Sequence, residues 1–72
     1  MTIEETKNLF NSRIETQVKV KIKNEKRFKH GILAKVDNYI FGGLDFGEYE
    51  AIFLRQPRKT LIIKLKEIAE IV

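Results

Sequence analysis

The sequence predicts a mainly β domain: an N-terminal helix followed by a five-stranded, strongly bent antiparallel small barrel. Three observations carry that reading. A run of strict period-two alternation, Val18-Lys19-Val20-Lys21-Ile22-Lys23, marks a half-buried strand. Short apolar runs follow at strand spacing, separated by polar or glycine-containing breaks. Ahead of them, residues 1–14 hold helical periodicity, with Ile3, Phe10 and Ile14 near helical spacing and Leu9 widening the stripe.

The elements follow in order. Thr2 and Glu5 have capping-box spacing, and Glu4 and Glu5 suit the positive end of a helix dipole. Asn11-Ser12 supplies the exit. Gln17 to Asn24 is the first strand, with Val18, Val20 and Ile22 on one side and Lys19, Lys21 and Lys23 on the other. Asn24-Glu25-Lys26 is a polar turn into a second strand, Phe28 to Asn38, with Ile32 or Leu33 and then Val36 pointing inward. Gly31 predicts a bend or bulge within it, and Gly42-Gly43 a further bulge or sharp turn. Tyr49 to Arg55 is the third strand, Gln56-Pro57-Arg58-Lys59 a polar hairpin loop, Thr60 to Leu65 the fourth strand and Ile68 to Val72 the fifth.

At 72 residues the chain reads as one domain, residues 1–72 with the barrel over 17–72. Such a domain hides only about 60% of its unfolded surface. No cysteine is present to add a disulfide or a thiolate metal site, and one histidine builds no multi-histidine cluster. Self-association is a common remedy for so small a core. The apolar ending, Leu61-Ile62-Ile63 and Ile68 to Val72, would leave an aggregating edge on a monomer, and pairing it with the next copy removes that edge. No leader pattern and no apolar run of about 18 residues is seen, so no membrane partner is expected. The expected location is cytoplasmic.

Net charge is +4, but Lys19, Lys21, Lys23, Lys26, Arg27 and Lys29 stand against Glu25 alone, a local excess of +5. A concentrated basic face is the electrostatic footprint of a nucleic-acid binder, and equally a solvated strand face that discourages aggregation. Catalysis is not expected: no nucleophile–base pair is readable, and neither a cofactor nor a metal is called for. Asp45, Glu48 and Glu50 around Gly47 read as a solvated hairpin tip, with hard-cation or acid–base work as the alternative.

The stretch Gly31-Ile32-Leu33-Ala34-Lys35-Val36-Asp37 resembles the first motif of the Sm-like family, which includes the Hfq, Sm and LSm proteins. That motif runs Gly-x-apolar-x-x-apolar-Asp, and Gly31, Leu33, Val36 and Asp37 supply it. Ile63, Lys64, Leu65, Lys66, Glu67, Ile68 and Ile71 stand in the frame of the second motif. They depart from it where Lys64-Leu65 replaces Arg-Gly and Glu67 replaces Asn. The Hfq Lys-His pair is absent, and Lys29 stands where an apolar residue is usual.

The resemblance covers most of the chain. It implies a homo-oligomeric ring, a hexamer or heptamer in which neighbours pair their last strands. It also implies an RNA-chaperone-like binding of single-stranded U- or A-rich RNA. Tyr39 then takes the base-stacking place and Lys64 the cationic pore place. Asn38 donates to a base edge or closes a turn, and Asp37 bonds backbone N–H groups. Tyr39 packed on a neighbour and Lys64 as a solvated strand residue are the plain alternatives. A further reading is an SH3-like barrel, monomeric or dimeric, that binds a protein or duplex DNA through Phe41, Phe46 and Tyr49 around Gly42, Gly43 and Gly47.

Overall fold

The structure, a computed structural model, describes residues 2–72 apart from the side chain of Asp45. Helix α1 spans Ile3–Asn11. The strands are β1 (Gln17–Ile22), β2 (Phe28–Phe41), β3 (Gly47–Arg55), β4 (Thr60–Lys64) and β5 (Ile68–Ile71), in the antiparallel order β4-β3-β2-β1-β5. A 3-10 turn, Leu65–Glu67, links β4 to β5. The sheet does not close: β4 and β5 remain its two edges.

Helix α1 begins as its cap signals predict. The Glu5 N–H donates to Thr2 Oγ1 at 3.1 Å, and the Thr2 hydroxyl donates to the Glu5 carboxylate at 3.1 Å. The helix stops at Asn11, not at residue 14, and residue 1 lies outside the described residues. Beyond the helix the backbone is claimed by other partners: Glu15 takes a left-handed φ of 68° and its N–H donates to the Leu33 carbonyl. Ile14 is therefore left exposed instead of continuing the apolar stripe.

Strand β1 ends at Ile22, because Asn24 takes a left-handed φ of 70° in the turn. Strand β2 runs on to Phe41, three residues past the expected end, because its pairing with β3 continues to Phe41↔Gly47. Strand β3 correspondingly starts at Gly47. Gly43, at φ +83°, makes the reversal that the Gly42-Gly43 pair predicts. The irregularity of β2 lies between Leu33 and Lys35 and not at Gly31. Gly31 serves close packing instead. A Cβ there would sit 3.0 Å from the Arg55 carbonyl oxygen and 3.2 Å from the Leu54 Cβ.

The inner face of the sheet forms the core. Val18, Val20, Leu33, Ile52, Leu54, Ile63 and Leu65 gather around Phe10, which α1 lays across them. Ile22, Val36, Leu61, Ile68 and Ile71 pack at its margin. Leu33 rather than Ile32 is the fully buried residue of the expected pair. Among the described residues no helix is long and apolar enough to cross a membrane.

Candidate nucleic-acid interface

The second face of the sheet is built by register. Tyr39 pairs with Tyr49, Asp37 with Ala51, Lys35 with Phe53 and Phe41 with Gly47. Beyond β3, Lys64 pairs with Ala51 and Ile62 with Phe53. Residues directly opposite in an antiparallel pair project to the same side. Since Ile52 and Leu54 belong to the core, these rows face outward.

Four aromatic rings meet there. Tyr39 packs edge-on against Phe41 at 5.0 Å and against Phe53 at 5.8 Å, and Phe41 against Tyr49 at 6.1 Å. These are the T-shaped arrangements that ring quadrupoles favour. Three ammonium groups lie on the rings: Lys35 is 4.7 Å from the Phe53 centroid, Lys64 is 4.3 Å from Tyr49 and 4.9 Å from Phe41, and Lys66 is 4.4 Å from Tyr49. All fall within the range at which a cation is attracted to a ring face.

The expected RNA residues are thus partly assembled. Asp37, Ala51 and Lys64 share one row, and Tyr39 and Tyr49 form the next. Tyr39 remains 39% exposed. Asp37, Asn38 and Tyr39 all lie within β2, so Asn38 does not close a turn. Asp37 still meets a backbone donor, accepting at Oδ1 from the Asn38 N–H at 2.8 Å, and its other oxygen is 3.8 Å from Lys35. Asn38 pairs with Glu50, on the opposite face from Tyr39. Lys64 is only 6% exposed, because its place opposite Ala51 brings its stem beneath the rings; it is not a solvated strand residue.

The basic run does not form one face. Lys19 and Lys21 pair with His30 and Phe28 on the outer side, while Lys29 pairs with the buried Val20 on the inner side and reaches Glu25 at 3.5 Å. Lys23, Lys26 and Arg27 lie in the β1–β2 connection. Strand alternation divides what is contiguous in sequence.

The acidic group also divides. Glu50 pairs with Lys7 of α1 at 3.0 Å, a contact that holds the Lys7 ammonium above its usual pKa, through the hydrogen bond and then the charge of Glu50. Glu48 stands opposite Ile40, and the side chain of Asp45 lies outside the described residues. Of the groove expected around the glycines, Phe41 and Tyr49 belong to the ring cluster, while Phe46 is 76% exposed at the hairpin tip beside exposed Leu44 and Ile40.

Sequence reading missed Phe53, Lys35 and Lys66 as members of this face. Lys35 and Phe53 alternate visibly along their strands, but the side they share follows from the pairing of β2 with β3, and Lys66 reaches the face from the 3-10 turn after β4. Comparison of the chain with protein-family models, curated proteins and solved structures finds no match.

Proposed function

We propose that the chain is a non-catalytic, Sm-like protein that binds single-stranded RNA on this outer face. The observation that carries the reading is the joint presence of four aromatic rings and three lysine ammoniums on one side of β2, β3 and β4. Single-strand binders combine exposed rings, on which bases stack for about 1–3 kcal/mol each, with cations that follow the phosphates. Tyr39 supplies the most exposed of the four rings. Lys35 and Lys66, both exposed, meet phosphate, and buried Lys64 holds Phe41 and Tyr49 in place and adds its charge.

The chain assembles as a ring of six or seven copies, with β4 of one copy pairing with β5 of the next. Support comes from the two uncovered edges, which a rotational repeat would satisfy. The competing reading, a monomeric or dimeric SH3-like barrel with a protein or duplex-DNA partner, is favoured by the exposed Ile40, Leu44 and Phe46 at the hairpin tip.

Native mass and an RNA titration decide between them. A discrete hexamer or heptamer is expected, with affinity for oligo(U) or oligo(A) that falls steeply between low and physiological salt as counterions are released. A clean monomer removes the ring. Affinity that is indifferent to salt removes the phosphate contacts.

A further inference from the structure

At the far end of the same sheet face lies a cavity of about 460 Å³. This volume is within the range of about 300–1,000 Å³ typical of small-molecule sites. Its floor is a single register row across β1, β2 and β3: Gln17 opposite Ile32, and Ile32 opposite Arg55. One wall is Pro57, in the β3–β4 loop. That loop is fixed at two points. The Gln56 N–H donates to the Lys59 carbonyl at 2.8 Å, and Gln56 Nε2 donates to the His30 carbonyl at 2.7 Å.

We propose that this cavity binds a nucleobase, as a second base site for the single strand that stacks on Tyr39. The inference rests on the RNA-binding reading above. The chemistry suits a base better than an isolated anion. Ile32 and Pro57 offer apolar surface to a planar ring, and the Gln17 amide can donate and accept at a base edge. The cations stand around the ring position: Arg55, held at one edge by Glu15 at 3.0 Å, lines the cavity, and Arg58 and Lys59 follow Pro57 in the loop. Among the described residues no carboxylate lines the cavity.

Continuity supplies the occupant. Along the outward side of β3 the residues Arg55, Phe53, Ala51 and Tyr49 succeed one another, so Arg55 of the cavity is one outward position from Phe53 of the ring cluster. Arg55 and Tyr49 are on the order of 20 Å apart at the rise of a β-strand. A strand of several nucleotides lying along β3 reaches both sites, and joining two sites on one ligand raises affinity through effective concentration.

The test is fluorescence anisotropy with labelled oligo(U) of about three and about ten nucleotides, a span matched to the site sizes of small barrels. Wild type is compared with Tyr39→Ala and with the double variant Gln17→Ala/Pro57→Ala. Gln17 and Pro57 are both exposed, so the fold should persist, which a melting curve verifies. Wild type should bind the longer oligonucleotide at least about tenfold more tightly than the shorter. The double variant should lose about tenfold on the longer one and nothing on the shorter, whereas Tyr39→Ala should weaken both. If the double variant binds the longer oligonucleotide as wild type does, the cavity is not a base site and the ring cluster stands alone. If wild type binds neither length, the RNA reading fails and the cavity proposal fails with it.

Discussion

The inner face of the sheet buries Val18, Val20, Leu33, Ile52 and Leu54 completely under Phe10, whereas the outer face leaves Tyr39 open and lays lysines on its rings. Both faces are drawn from the same strands, and β3 alternates between them residue by residue. The inner face is fixed by shape, with apolar side chains at close packing. The outer face is held by weaker, partly electrostatic contacts that leave ring surface and charge within reach of a ligand. Stability should therefore reside on one face and binding on the other, and variants can be sorted by which property they change.

The largest expected effect is on the inner face. Phe10→Ala should destabilise the fold by about 3–5 kcal/mol, out of a total on the order of 4–10 kcal/mol for a domain of this length. Urea unfolding should show a much lower midpoint, and retention of the wild-type midpoint would mean that α1 does not anchor the core.

Gly31→Ala tests the close approach between β2 and β3. Its Cβ would meet backbone at 3.0 Å, which the sheet cannot relieve by turning a side chain, so a loss of about 1–3 kcal/mol is expected in the same assay. A neutral result would show that β3 can shift away.

The outer-face variants should invert the pattern. Tyr39→Ala should cost about 1–3 kcal/mol in RNA affinity while moving the unfolding midpoint little. An equal loss of stability with unchanged affinity would make Tyr39 a packing residue. Lys66→Met should lower the slope of log affinity against log salt by about 0.7, the share of one phosphate contact on a single strand. An unchanged slope would exclude Lys66 from the phosphate path.

The smallest effect concerns Lys7 and Glu50. The folded-state pKa of Lys7 is raised from 10.5, so the pair contributes fully below that value and is lost as pH rises through the folded pKa. Lys7→Met should make melting less sensitive to pH on the alkaline side, and an identical alkaline profile would leave the pair without thermodynamic weight. The contact is only half-buried and largely screened, so only this pH signature is expected to separate the two proteins.

Local signals account for most of what the sequence disclosed. The Thr2 cap, the Val18-Val20-Ile22 alternation, the Gly42-Gly43 reversal and the Gln56–Lys59 loop each depend on neighbouring residues, and each is found where expected. Features set by pairing across strands were hidden. The irregularity at Leu33–Lys35 carries no glycine or proline of its own, and the nearby Gly31 drew attention to the wrong residue. Lys64 reads as a solvent residue in β4, and only its place opposite Ala51 reveals that it is buried beneath two rings. The run from Lys19 to Lys29 is a cluster in one dimension that the sheet distributes over two faces and a turn.

The pairing of β5 with β1 has a kinetic consequence. Strands β2 and β3 are joined by a short reversal, so their register can be found early at little loop-closure cost. Strand β1 finds Ile71 and Glu70 only after some fifty intervening residues have been ordered, since Val20 pairs with Ile71 and Lys21 with Glu70. Folding should accordingly begin at the central hairpin and finish at the β1–β5 seam. Substitutions in that seam should then speed unfolding and leave the folding rate nearly unchanged. It follows that β1 has one edge unpaired until the end of the reaction, when Lys19 and Val72 exchange their two backbone hydrogen bonds.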